Sequence, residues 1–287
     1  MKPQVTALFD EATNTVTYLV ADAGTRKAAI IDPVLDFDPK SGRTSTRSAE
    51  RLIETVHQQH LEIEWIIETH VHADHLSSAP FVKKQVGGKT GIGAHVRDVQ
   101  KIFKAIFNAE PGFATDGSQF DHLFEDGERF TIGGLQAQAI HTPGHTPADM
   151  TYVIGDAAFV GDTLFMPDYG TARADFPGGD AATLYRSIRR IHALPTETRL
   201  FTCHDYKAKG RDHFAWESTV REQRAKNIHV HDGVSEADFV AMRTARDATL
   251  DMPVLILPSV QVNMRAGHLP PPEANGISYL KIPVDAL

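Results

Sequence analysis

The stretch Thr69–His75, THVHADH, follows directly on the short apolar run IEWIIET. Three histidines and one aspartate fall within seven residues. The run before them is short, bulky and β-branched, which reads as a buried strand. His70 therefore sits just past a strand end, where a rigid scaffold presents reactive groups on loops. In an extended His-X-His, alternate side chains share a face, so His70 and His72 can aim toward one side. Asp74 and His75 follow one turn on and suit a second site or outer support. Imidazole binds borderline metals through a neutral ring nitrogen, and a carboxylate adds charge and hardness. Whatever fold this chain adopts has to bring further donors to the end of that strand.

The candidates for those donors also follow apolar runs. They are His141 and His145 in HTPGHTPADM, Asp162 in FVGDTLF, and His204 in CHDY. Gly144 allows a tight turn before His145. Each residue alone has an ordinary explanation. The chain has 15 histidines, and a lone histidine is usually a surface or hydrogen-bonded residue. Asp74 alone could cap a helix starting at His75, and Asp162 alone could be a turn residue. The ordered combination points to a metal site. A second cluster, HVHDG at His229–Gly233, has similar composition. It lies in a polar connection between two helical segments and reads as solvated loop.

The rest of the chain alternates strands and helices. TVTYLVAD and KAAIIDPV form an opening pair of strands, and DFDPKSGRTSTRS reads as a loop. Helices are expected at 48–57, 76–86, 95–107, 180–192 and 235–250, the last with Ser235 as N-cap. FTIGGLQAQAIHT, MTYVIGDAAFVGD and RLFTCH are strand-rich, and MPVLILPSVQVNM reads as a final strand. No internal repeat or clear linker interrupts this order, which supports one α/β domain over 1–287 with a C-terminal extension from about 235.

Composition narrows the classes. A net charge of −8 argues against nucleic acid, which wants a basic face. No apolar run approaches the ~18–20 residues that span a bilayer, and the N-terminal stretch lacks the features of a signal or transit peptide. The one cysteine, Cys203, precludes an internal disulfide. It reads as a small buried hydrophobe or a reactive thiol. These features favour a cytoplasmic, reducing compartment. A homodimer is the base-rate expectation for assembly.

THVHADH, HTPGHTPADM, GDTLF and CHDY together resemble the metallo-β-lactamase superfamily. The resemblance spans about 69–206 and implies an αββα sandwich, two mixed sheets flanked by helices, with metal at one sheet edge. Within the superfamily the chain looks most like the persulfide dioxygenases (sulfur dioxygenases), including the tail VNMRAGHLPPPEANGISYLKIP. Arg173 and Asp175 in ARADF match their R-x-D-F element, although YGTARADF departs from the usual GCGRTDF. This resemblance implies one Fe(II) per chain held by His70, His145 and Asp162. His72, Asp74, His75 and His204 would then be outer supports or ligands of a second metal.

The implied reaction is oxidation of glutathione persulfide by O₂ to sulfite and glutathione, within sulfur metabolism or sulfide detoxification. The alternative is a glyoxalase II-like hydrolase of glutathione thioesters, with two zinc ions or a mixed pair and all seven donors engaged. Either substrate is an anionic small molecule. Tyr206, Lys207, Lys209 and Arg211 follow His204 closely and, with Arg173 and Arg265, are candidates to meet its carboxylates. The competing reading of the same stretch is an ordinary basic surface loop.

Overall fold

The computed structural model describes residues 2–285. The chain opens with β1 (Gln4–Asp10), β2 (Thr15–Ala21) and β3 (Lys27–Ile31), successive antiparallel neighbours. β1 precedes the two runs singled out from sequence and is only half-buried, so its pattern is faint. The stretch expected as loop carries a hairpin, β4 (Val34–Asp38) and β5 (Arg43–Ser45). At its tip the Asp38 carboxylate accepts the Lys40 amide (3.0 Å) and the Ser41 hydroxyl (2.6 Å). Turns of this kind are built from the polar residues that make a segment look structureless.

After α1 (Arg47–Gln58), β6 (Glu62–Ile67) returns parallel to β3. The helix expected from Leu76 starts later. Leu76–Ser77 is a short strand, β7, paired with β4, and α2 spans Ala79–Val86. Pro80 sets that boundary, because proline fits a helix only in its first turn. Then come β8 (Lys89–Gly93), α3 (Val96–Ile106) and β9 (His122–Phe124).

The second half begins with an antiparallel meander: β10 (Arg129–Ile132), β11 (Leu135–His141), β12 (Met150–Ile154) and β13 (Ala157–Phe159). α4 (Ala181–His192), capped by the Asp180 carboxylate on the Thr183 amide, crosses over to β14 (Arg199–Phe201), parallel to β13. β15 (Glu217–Thr219), α5 (Val220–Lys226), α6 (Glu236–Asp247) and α7 (Ile256–Asn263) follow. Ser235 caps α6 as its sequence suggests. α7 replaces the expected final strand. Its run starts with a continuous apolar stretch and is buried on nearly every side, polar residues included, and such a run does not separate a strand from a buried helix; Pro258 lies in its first turn, where it is tolerated.

The sheets have the orders β1-β2-β3-β6-β8-β9 and β10-β11-β12-β13-β14-β15. Their inner faces enclose a core that includes Val16, Tyr18, Ile31, Phe124, Tyr152, Phe159 and Phe201. α1 and α2 cover the outer face of the first sheet through Leu52, Val56 and Val82. α4 and α6 cover the second through Leu184, Ile188 and Phe239. The result is the expected αββα sandwich. β2 is buried along its whole length because both of its faces are covered, which is why it reads as a continuous apolar run. Among the described residues no helix is long and apolar enough to cross a membrane.

Candidate metal centre

The strand-end donors converge on one edge of the sandwich. Two glycines make room for this. A Cβ on Gly144 (φ +138°) would fall 2.3 Å from the Leu184 backbone, so only glycine lets the His145 turn meet α4. A Cβ on Gly161 (φ +52°) would fall 2.9 Å from Thr69, so glycine lets the Asp162 turn pass the histidine loop. Asp32, just past β3, anchors that loop. Its carboxylate accepts the Thr69 amide (2.7 Å) and the Thr69 hydroxyl (2.9 Å).

His70, His145 and Asp162 form one donor set. Nε2 of His70 and Nε2 of His145 lie 3.9 and 3.6 Å from Asp162 Oδ2. The outer nitrogens fix both tautomers. His145 Nδ1 lies 2.8 Å from the Arg173 carbonyl, which can only accept, so Nδ1 donates. The Thr69 hydroxyl already donates to Asp32, so it accepts from His70 Nδ1 at 3.0 Å. Each Nε2 therefore turns a bare lone pair inward, the arrangement by which outer partners orient metal-ligating histidines. His70 Nε2 and Asp162 Oδ1 are buried without a hydrogen-bond partner. Burial, then the neighbouring His72 and His145, push the His70 pKa well below the usual histidine value and keep the ring neutral. Buried lone pairs facing a carboxylate are costly unless a cation joins them, so these residues fit a metal.

His72, Asp74, His75 and His204 form a second set. His204 Nε2 lies 3.1 Å from Asp74 Oδ2 and 3.4 Å from Asp162 Oδ1. The distances are short but the angles do not make hydrogen bonds, and Nε2 remains unpartnered. The atoms are aimed at a shared point rather than at one another. Burial alone would lower the His204 pKa, but the Asp162 and Asp74 carboxylates outweigh it and push it up to about 9. His72 faces outward with Nε2, 2.9 Å from Asp32 Oδ1 and 3.4 Å from Glu68 Oε2, and leaves Nδ1 unpartnered. Asp162 touches both sets, Oδ2 toward the first and Oδ1 toward His204.

Several supports were not legible in the sequence. Asp32 had one usable signal, an acid ending an apolar run. Glu68 had none beyond adjacency. Asn263, at the end of α7, donates to the carbonyls of His72 (2.9 Å) and His75 (2.7 Å) and accepts the Ser77 amide (2.8 Å). All of its side-chain capacity for the loop is used, across 188 residues from His75. His229, expected in a solvated loop, is half-buried, and its Nδ1 accepts the Thr171 amide at 3.1 Å. It wedges against Gly170, whose Cβ would fall 2.1 Å from that nitrogen.

A cavity of about 580 Å³ opens onto the donors, with His145, Asp162, Phe165, Tyr169 and Phe176 in its wall. Of the basic and phenolic candidates, Arg173 and Tyr206 line it and the others do not. Lys207 lies over the Phe214 ring at 4.4 Å. Lys209 is exposed on the same loop. Arg211 is held by Asp205 and Asp168, and Arg265 by Glu110 and the Phe113 ring. These two guanidiniums brace loops. Cys203 is buried, and burial with the nearby Asp32 raises its thiol pKa well above normal, the state of an inert small hydrophobe.

The sequence model of the metallo-beta-lactamase superfamily matches residues 11–204. A probable metallo-hydrolase of Burkholderia pseudomallei is 59% identical, with 99% of each chain covered. A beta-lactamase hydrolase-like protein of Xylella fastidiosa is 55% identical over 99% of this chain, which spans only 65% of that protein's length. The mitochondrial persulfide dioxygenase ETHE1 of Bos taurus is 30% identical over 92% of this chain and 89% of its own. Among solved structures, ETHE1 of Myxococcus xanthus superposes with a TM-score of 0.73 at 29% identity, covering 92% of this chain and 100% of that one.

Proposed function

The chain belongs to the metallo-β-lactamase superfamily, and on that premise we propose that it is a persulfide dioxygenase using one Fe(II). Glutathione persulfide, O₂ and water would give glutathione and sulfurous acid, with the terminal sulfur oxidised and the S–S bond cleaved. The observation that carries this reading is the His70, His145 and Asp162 set, two bare Nε2 atoms facing one carboxylate oxygen. Two histidines and one carboxylate are the donor set of non-haem Fe(II) oxygenases. Iron held there supplies the redox chemistry with dioxygen that no side chain can.

The chain's own residues orient and enclose. The Arg173 carbonyl and the Thr69 hydroxyl hold the two imidazoles in their inward tautomers. The Phe176 ring packs edge-on against His145 at 5.0 Å, and with Phe165 it gives the cavity a dry wall beside the donors. A dry wall suits a reactive sulfur anion, which water would otherwise solvate.

The second reading is a dinuclear, zinc-dependent hydrolase of glutathione thioesters. The full set His72, Asp74, His75 and His204 beside Asp162 Oδ1 favours it, as do the hydrolase names of two relatives. The deciding experiment loads the protein anaerobically with iron, adds glutathione persulfide, admits oxygen, and follows O₂ and sulfite together. Matched uptake and sulfite supports the dioxygenase. No uptake, with thioester hydrolysis by zinc-loaded protein, supports the hydrolase.

A further inference from the structure

Both readings need a carrier with anionic ends to enter the cavity, and most of the cations first suggested for it lie elsewhere. Three guanidiniums line the cavity: Arg173, Arg243 and Arg246. Two are already neutralised. Arg173 forms a fork with Asp175 at 2.6 and 2.8 Å and gives Nη1 to the Asp251 carbonyl at 2.7 Å. Arg243 is fully buried, paired with Asp247 at 2.6 Å and bonded to the Thr171 carbonyl at 3.1 Å. Arg246, one turn on along α6, has no ion pair and no hydrogen bond from its side chain among the described residues. Its charge reaches the cavity interior: burial raises the Tyr169 phenol pKa, and Arg246 is the first charge that opposes the rise.

Asp251 lines the same cavity. Its backbone is pinned by Arg173, yet its carboxylate has no partner among the described residues, and it does not pair with Arg246. A cation in the last turn of a helix suits the helix dipole, but that interaction does not call for a place in the cavity wall, nor for an unpaired acid beside it. An unpaired guanidinium and an unpaired carboxylate in one wall are complementary to a ligand that carries a carboxylate next to an ammonium.

We propose that Arg246 and Asp251 form the subsite that binds the α-amino-acid end of the thiol carrier, the carboxylate on Arg246 and the ammonium on Asp251. The subsite selects a zwitterionic peptide thiol such as glutathione over carriers that end in phosphate or have no charged end. The proposal rests on the reading that a glutathione-like carrier enters this cavity, which the dioxygenase and the hydrolase share.

The test is binding, which needs no turnover. S-Methylglutathione and its N-acetyl derivative are titrated calorimetrically into the full chain, wild type and the variants Arg246→Gln, Arg246→Lys and Asp251→Asn. Both positions are exposed, so the fold should survive. A charge-assisted bond lost from such a site weakens binding about tenfold or more. Arg246→Gln should weaken S-methylglutathione by about that factor, with Arg246→Lys between it and wild type. N-Acetylation should weaken wild-type binding, and Asp251→Asn should lose the preference for the free amine. With glutathione persulfide, Arg246→Gln should raise KM with kcat nearly unchanged, while mercaptoethanol persulfide is unaffected. Unchanged binding in Arg246→Gln, or no binding to wild type, overturns the subsite. Weakened binding in a protein that takes up no oxygen keeps the subsite and removes the dioxygenase.

Discussion

The two donor sets share Asp162 and the same sheet edge, yet they are built differently. In the first, the ring nitrogens facing Asp162 are bare and their outer nitrogens are tied to a carbonyl and a hydroxyl. Burial holds His70 neutral. In the second, carboxylates crowd the rings. Asp32 and Glu68 flank His72, and Asp74 with Asp162 flank His204. His70 in the first set is pushed toward the neutral ring, whereas His72 and His204 in the second are pushed toward the protonated one by the acids beside them. His192 supplies the control. Both of its ring nitrogens are buried without partners, but burial and the guanidiniums of Arg189 and Arg224 lower its pKa to about 4, with only Asp232 opposing. An unpartnered imidazole marks a metal site only where an acid faces it.

The largest effect should come from the shared residue. Asp162→Asn should reduce bound metal to background and lower kcat/KM by more than the ~10–100-fold typical of losing an outer support; elemental analysis and oxygen uptake report both. Next, His70→Ala and His145→Ala should each abolish iron retention, while His72→Ala and His204→Ala keep about one iron per chain. If His72→Ala lost metal as completely as His145→Ala, the two sets would be equivalent and the hydrolase reading would gain.

A smaller effect is expected at the clamp between α7 and the second set. Asn263→Ala leaves two carbonyls and an amide without their partner, which should destabilise the fold by roughly 2–4 kcal/mol. Thermal unfolding with metal analysis should show a lower Tm while the first set still holds its iron. The smallest change concerns His192. Its folded pKa lies below the unfolded value, so its titration leaves stability untouched above about pH 6.5. Stability falls as pH drops from there toward 4, because the unfolded chain takes the proton first. His192→Leu should therefore flatten stability between those limits by about 2–3 kcal/mol, measured by denaturant unfolding at several pH values.

Much of the fold was readable because central strands such as β2 and β3 are buried on both faces and several helices carry strong apolar stripes. α4 announced itself by its amphipathic pattern and α6 by the Ser235 cap. The misreadings share a cause. β4 and β5 form a polar surface hairpin, and α7 is buried on nearly all sides with no single apolar stripe, so neither shows the periodicity that separates strand from helix. The site divides similarly. Its donors sit at the ends of apolar runs, whereas Asn263, Glu68 and the free Arg246 carry no local mark, and the polar surroundings of His229 pointed to a solvated loop.

The sequence by itself determined that acids and imidazoles would gather at one sheet edge, since strand-end position is a local property of apolar runs and turn glycines. It also determined the superfamily, because the order of those motifs is written along the chain. Only the tertiary structure decided which nitrogen of each ring faces inward, which arginines are neutralised within the wall and which is left for a ligand. Those outcomes depend on partners brought together from distant segments, and a hydrogen bond such as that of Asn263 to His75 leaves no trace in the neighbours of either residue.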